Sequence, residues 1–531
     1  MSTSQPSNGH AFTRSAGDDP EQEPLLPTSS PRKDTPLPKR AIIILILMRL
    51  AEPISFTLIF PFVNDLVYTL PPYPARASVG YYAGIIESLF SVSQTCTILF
   101  WGSLSDRIGR KPVLISGLCG VACSAVLFGL SRSFVWAVLA RSLAGATNGN
   151  VAIIKSVMGE LTDGSNQARA FSFLALTWTV GSFIGPLLGG YLSRPAEQYP
   201  GVFGEGSWAG FGGLWVEYPF LLPCLVSAGL TLGSITLGAV ALDETLPSKV
   251  EQKRIEQQQK KRRSQQADDD DASHSNGYGA VENTTTTETT STTTNHAQTE
   301  PPTPPTIFSI LSIAQIQKVL LSYGLLALIS VALDAVLVLY LFEPAALGGV
   351  GFTSSETGIL LSINGLGGAL VQLILFPPLQ KRYGTLRVYQ ASMLSFPLSM
   401  VLLPVANAFA RSTSATSVAV WTCLLISTAI RVMGGMAYAS NTILVTQCAS
   451  LLDPSPALGT LNSLAQMSSS IARAAGPYLA NSLFAFSVTT GLLGGQMVWV
   501  VLGVIGFVGP LVCLRLDDME RGQRTERSEG R

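Results

Sequence analysis

The sequence predicts an all-α membrane protein of twelve transmembrane helices, arranged as two pseudo-symmetric six-helix bundles. Three observations lead there. Long apolar stretches fall near 41–66, 79–102, 113–130, 134–157, 170–192, 216–240, 317–342, 356–379, 386–408, 417–447, 457–485 and 492–514. Roughly 20 apolar residues let a helix cross a ~30 Å hydrocarbon layer. A polar segment at 243–307 divides the stretches six and six, and the two groups repeat several features in the same order.

Composition narrows the function. Of 531 residues, 47% are hydrophobic and only 13% charged, against about 25% charge in an ordinary soluble domain. Formal net charge is zero, which argues against nucleic acid or a strongly anionic partner. His10, His274 and His296 all lie outside the apolar stretches, so no histidine-lined metal path is expected. Cys96, Cys119, Cys123, Cys224, Cys423, Cys448 and Cys513 are scattered within or at the ends of apolar segments. They read as small buried hydrophobes.

Residues 1–40, rich in Ser, Pro and acid, read as a disordered cytoplasmic tail, with no basic-then-apolar opening of a signal peptide. The first bundle is expected over 41–242. The linker, 243–307, passes from Asp243-Glu244 through Lys- and Gln-rich sequence to threonine repeats and a proline cluster, and should be largely disordered. The second bundle follows over 308–515, and 516–531 is a second tail.

Lys and Arg mark the cytoplasmic side of a membrane protein. One set of connections carries Arg107, Arg110 and Lys111, then Lys155 and Arg169, then Lys381, Arg382 and Arg387. Opposite connections hold single arginines, Arg76, Arg132, Arg194 and Arg411. This alternation expects both termini in the cytoplasm. Asn283-Thr284-Thr285 then lies on the wrong side for glycosylation.

The repeats give the symmetry. Arg141, Gly145 and Asn148 in span four are echoed by Arg431, Gly435 and Asn441 in span ten. Gly185-Pro186 in span five is echoed by Gly476-Pro477 in span eleven. Related halves of this kind place a binding cavity at their interface.

Ionisable residues inside a span are costly and usually face a cavity or a partner. Arg49 and Glu52 are three apart, on one helix face. Glu87, Arg141, Asp334, Arg431 and Arg473 are the others singled out. One reading is ion pairing that locks helices together. The other is a carboxylate that takes up and releases a proton as the cavity changes sides, with Glu52 and Asp334 as first candidates. Phe56, Phe60, Trp178, Tyr323, Tyr340 and Asn364 are candidate cavity residues, each equally explained by packing. Glycines four apart, Gly181, Gly185 and Gly189, with Pro186 and Gly190, form a smooth ridge in span five. Tight helix packing is one explanation; a rocking hinge is the other.

Gly102-Ser103-Leu104-Ser105-Asp106-Arg107-Ile108-Gly109-Arg110-Lys111-Pro112 closely resembles the loop motif of the major facilitator superfamily. The resemblance implies the major facilitator fold and a cytoplasmic latch formed by Asp106, Arg107 and Arg110. The second-half counterpart, Pro378 to Gly384, has no aspartate. Arg141-Ser142-Leu143-Ala144-Gly145 resembles the family's fourth-span motif, implying a part in proton coupling. Residues 181–190 resemble the fifth-span motif of the twelve-span drug:proton antiporters. Ala51 to Ser55 followed by Ile59 to Phe62 resembles fungal relatives of the plant zinc-induced-facilitator-like transporters.

The expectation is therefore a proton-coupled antiporter, without cofactor or bound metal, that exports small organic or drug-like compounds and works as a monomer in the bilayer. Coupled movement of an inorganic ion or metal chelate, including vacuolar sequestration, is the alternative. A substrate sensor is disfavoured because neither tail resembles a signalling domain. An enzyme is disfavoured because no nucleophile–base set is assembled, and ATP-driven pumping because no phosphate-binding loop is present. Glu21 to Leu26 has the form of an acidic dileucine signal suited to a vacuolar membrane, whereas the exporter resemblance suits the cell surface.

Overall fold

A computed structural model describes residues 37–162, 167–204, 206–207, 209–210, 213–246, 249–252, 254–255, 258–259, 307–448, 451 and 458–516. Both expected tails, the dileucine sequence and most of the linker lie outside the described residues, as does the side chain of Asp106.

Every apolar stretch is helical. The first half contains α1 (Lys39–Thr57, resumed at Val63–Thr69), α2 (Val79–Ile108), α3 (Arg110–Gly129), α4 (Phe134–Thr147, resumed at Asn150–Leu161), α5 (Gln167–Leu192) and α6 (Leu221–Ala241). The second contains α7 (Ala314–Phe342), α8 (Ser354–Leu370, passing through Val371–Leu375 into Phe376–Tyr383), α9 (Thr385–Met400, resumed at Leu402–Ser412), α10 (Val418–Gly434, resumed at Met436–Cys448), α11 (Leu458–Thr490) and α12 (Met497–Cys513). Among the described residues, α3, α6, α7, α8, α9 and α10 are long and apolar enough to cross a membrane by length and composition alone.

Breaks in the helices have local causes. α1 is interrupted over 58–62, where Pro61 lacks an amide donor. α4 breaks at Asn148-Gly149 and α10 at Gly435, so span four and its counterpart are each interrupted once. α5 continues unbroken through Pro186.

Packing repeats with an offset of six helices. In the first half α1 packs on α5 and α6, α2 on α4, and α3 on α4 and α6. In the second, α7 packs on α11 and α12, α8 on α10, and α9 on α10 and α12. The halves meet through α5 against α8 and α2 against α11, two contacts that the same offset exchanges. The fold is thus bipartite and internally symmetric.

Contacts between the halves gather at one end. A Cβ on Gly190 would lie 2.6 Å from the Ser354 carbonyl oxygen, and one on Gly358 would lie 2.5 Å from that of Pro186. Ser362 Oγ donates to the Phe183 carbonyl at 2.8 Å. On the other seam, the Tyr478 amide donates to Ser88 Oγ at 3.0 Å. At the opposite end, which carries Gly109, Glu160 and Lys381, no hydrogen bond joins the halves among the described residues. The contacted end is here the closed end, and the other the open end.

Candidate functional site

The titratable groups singled out in the spans lie on helices of both halves. Arg49 Nη1 donates to Glu52 Oε2 at 2.7 Å, as the spacing of three requires. Asn148, at the break in α4, donates through Nδ2 to Glu52 Oε1 at 2.9 Å. Both carboxylate oxygens of Glu52 are therefore engaged, and the residue is buried. That argues against Glu52 as the freely exchanging proton carrier. It fastens α1 to α4.

Glu87 on α2 is differently placed. It is buried and lies within electrostatic reach of Arg141 on α4 and of Asp334 in the second half. The Arg141 guanidinium sits over the rings of Phe90 (4.3 Å) and Phe56 (5.2 Å), a favourable cation–π arrangement. Asp334 on α7 pairs with Arg431 on α10. Its side chain is 52% exposed. The Asp334–Arg431 ion pair of the second half thus lies within electrostatic reach of Glu87 in the first.

The aromatic candidates divide. Phe56 meets Phe60 edge-on at 5.3 Å and lies 5.7 Å from Trp178, which is exposed on α5. Half-buried Tyr323 meets Tyr438 edge-on at 6.2 Å, and Tyr438 is within electrostatic reach of Asp334 and Arg473. Asn364 is half-buried on α8. Tyr340 is a correction. It has no exposed surface, packs edge-on against Trp499 at 5.2 Å, and donates its hydroxyl to the Leu403 carbonyl at 2.6 Å. Its ring and hydroxyl are both consumed in the core of the second half, so it does not line the cavity.

The ridge on α5 has two faces. Gly181, Gly185 and Gly189 pack on α1: a Cβ on Gly181 would lie 2.5 Å from that of Pro53, and Cβ atoms on Gly185 and Gly189 would overlap Thr57 and Leu58. Thr57 Oγ1 donates to the Gly181 carbonyl at 3.1 Å. Pro186 and Gly190 instead meet α8 across the interface.

At the open end the loop motif is tied within the first half. Gly109 has φ +110°, a conformation that side chains resist. The turn brings the Arg110 and Lys111 amides onto Glu244, with Oε1 accepting from Arg110 at 2.8 Å and Oε2 from Lys111 at 3.2 Å. A carboxylate here complements the positive start of α3. Arg110 Nη2 pairs with Glu160 at 2.9 Å, and Thr245 Oγ1 donates to the same carboxylate at 2.7 Å. Glu244 was hidden at the head of a segment expected to be disordered; its one signal is an acid directly after span six. Gly102 has open space around it and Arg107 is exposed. Gly384 repeats the positive φ of Gly109 in the second half.

At the closed end Arg76 reaches across the halves. Nη2 donates to the Phe342 carbonyl at 3.3 Å, and Nε lies 3.8 Å from Glu343 Oε2, an ion pair too long for a hydrogen bond. Its guanidinium also covers the Phe342 ring at 4.7 Å and the Tyr68 ring at 5.3 Å. Burial pushes the Glu343 carboxyl up to about 8, opposed by Arg76. A separate cavity of about 500 Å³ opens beside this end on the first half, lined in part by Arg132, Arg194 and Phe220. Its charges satisfy one another, Arg194 with Asp65 and Arg132 with Glu217, and it lies apart from the groups between the halves.

A helical protein of two offset halves, with helices apolar and long enough to cross a membrane, suits a bilayer. The family model described as the Major Facilitator Superfamily matches residues 45–333. The chain belongs to that superfamily. The major facilitator-type transporter psiT2 of Psilocybe cyanescens is 33% identical to it, over 88% of each chain. The major facilitator superfamily multidrug transporter mfsB of Aspergillus fumigatus is 28% identical, over 92% of this chain and 85% of its own. Among solved structures, a D-xylose-proton symporter shares the fold, with a TM-score of 0.60 at 12% identity over 91% of this chain and 99% of that one. This is a multi-pass membrane transporter of small molecules, driven secondarily, and not an enzyme.

Proposed function

We propose that the chain spans the membrane twelve times with both termini cytoplasmic and exports small organic or drug-like compounds in exchange for protons. The basic connections then mark the open end as cytoplasmic, so the conformation is one that faces the cell interior. The observation that carries the reading is a buried Glu87 within electrostatic reach of Arg141 and of Asp334, which pairs with Arg431 in the other half. A carboxylate that competes for its arginine and for a proton changes its affinity when the pairing or the solvent access changes, and alternating access changes both. Proton binding at this pair, rather than at Glu52, drives the cycle.

Export fits the likeness of residues 181–190 to the antiporter motif and the kinship with a fungal multidrug transporter. The narrower affinity is with relatives of the zinc-induced-facilitator-like group, and the working unit is a monomer in the plasma or vacuolar membrane. The test is purified protein in sealed vesicles with an imposed pH gradient and a compound panel. Substrate entry should dissipate the gradient, and Glu87→Gln and Asp334→Asn should each leave binding but abolish proton-linked flux. Flux that stays proton-coupled in both variants would overturn the assignment.

A further inference from the structure

Among the described residues, Arg141 carries its charge into the first half without an ion pair. Its guanidinium is buried against the rings of Phe90 and Phe56, and its Nε is shut away from solvent with no acceptor. Ring faces attract a cation, but a buried charge stays costly until its N–H groups are hydrogen-bonded. Ser227 on α6 is buried too, and its hydroxyl also lacks a partner. Both residues line one cavity of about 20 Å³, walled by α1, α3, α4 and α6 of the first half. Ser55, Ser124 and Cys224 complete its polar lining. Ser124 Oγ gives its proton to the Val121 carbonyl at 2.8 Å, which leaves its lone pairs free to accept.

A water needs roughly 10–15 Å³ of such space and about two to four polar partners. We infer that the cavity is a binding site for one ordered water that joins α3, α4 and α6. The water accepts from Arg141 Nε and from the Ser227 hydroxyl, and it donates to Ser124 Oγ. One molecule thereby satisfies both orphaned groups. Through it Ser227 anchors the guanidinium that lies within electrostatic reach of Glu87. Organic ligands are excluded by the volume. A halide ion would meet the guanidinium but has no proton to give Ser124 Oγ, so water fits the lining better. The site does not depend on what the chain transports.

Radiolytic hydroxyl-radical labelling of the purified full-length chain, read by mass spectrometry, tests this, because a bound water is split in place and marks the side chain beside it. Cys224 is the marker, and Cys448 and Cys513, equally buried in the second half, are the references. Cys224 should label several-fold faster than either. Ser227→Val fills the cavity and removes the hydroxyl, so Cys224 labelling should drop to the reference rate. The unfolding temperature supplies a sign. Filling a dry cavity and removing an unpaired hydroxyl raises it, whereas expelling a water that Arg141 needs lowers it. Ser227→Val should lower it in the wild-type chain and raise it in an Arg141→Met background, where no N–H is stranded. Labelling decides the matter should R141M fail to fold. Cys224 labelling at the reference rate in the wild-type chain, unchanged labelling in folded S227V, or a higher unfolding temperature for S227V alone overturns the inference. So does a chloride-dependent unfolding temperature that S227V loses, since the occupant is then an anion.

Discussion

Arg76 and Glu343 form a polar clasp between the halves at the closed end, beside the hydrogen bond from Arg76 to the Phe342 carbonyl. The pair is unequal: Arg76 is 38% exposed at its side chain and Glu343 only 2%. Burial outweighs the arginine, so the carboxyl holds its proton up to about pH 8 in this conformation, against 4.5 in water.

The sign follows directly. A carboxyl whose affinity for a proton is raised in the closed form favours that form while protonated, and loses this advantage as pH rises through about 8. Acid on this side should therefore hold the end shut, and alkali should release it. Distances between spin labels across the closed end, followed from pH 5 to pH 9 (about the span between the two affinities), should lengthen with pH. Glu343→Gln should abolish that dependence and stay closed throughout. A pH response equal to that of the wild-type chain would assign it to another group.

Gly358 lies against the backbone of α5, so Gly358→Leu should prevent the close approach of α5 and α8. Overpacking of this kind costs about 1–3 kcal/mol, roughly a tenfold or greater shift in a two-state equilibrium. The same label distances should lengthen at neutral pH, with transport slowed, while the thermal stability of each half is kept.

Glu52 and Glu87 should behave as different kinds of residue. Glu52→Ala strands the buried guanidinium of Arg49, and removing one partner of such a pair costs about 3–5 kcal/mol. Thermal unfolding in detergent should fall accordingly. Glu87→Gln should leave the unfolding temperature close to that of the wild-type chain and remove proton coupling instead.

The Glu244 cap and the Gly109 turn should be coupled. Glu244→Ala removes a carboxylate from the start of α3, at about 1 kcal/mol. Gly109→Ala adds a side chain at positive φ and sets it 2.5 Å from Glu244 Oε2. Part of its cost comes from that carboxylate, so the double variant should be more stable than the two single losses predict when added.

Much of this was legible in the residues. Apolar length marks the helices because a bilayer demands it, and Arg49–Glu52 is visible because partners three apart share a helix face. Asp334 and Arg431 stand 97 positions apart, and no local spacing reveals that α7 and α10 bring them together. Asn148 was noticed as part of a repeat, but its bond to Glu52 depends on how the α4 break is turned. Tyr340 shows the same limit in reverse. An aromatic residue in an apolar helix carries no sign of which way it faces, and here it faces the core. Glu244 sits at a boundary where composition changes from apolar to charged, and composition does not record that the first few residues beyond it fold back.

The π-helical turn at Val371–Leu375 in α8 carries a consequence for the second half's basic corner. A turn of this kind accommodates one surplus residue, and each residue of an α-helix advances the azimuth by about 100°. Excising a single position there would return α8 to a regular coil and leave Lys381 and Arg382 near their present bearing, whereas a deletion elsewhere in α8 would swing them about 100° around its axis. The wrinkle is thus the one stretch of α8 where the chain can shed a residue without misdirecting those two charges.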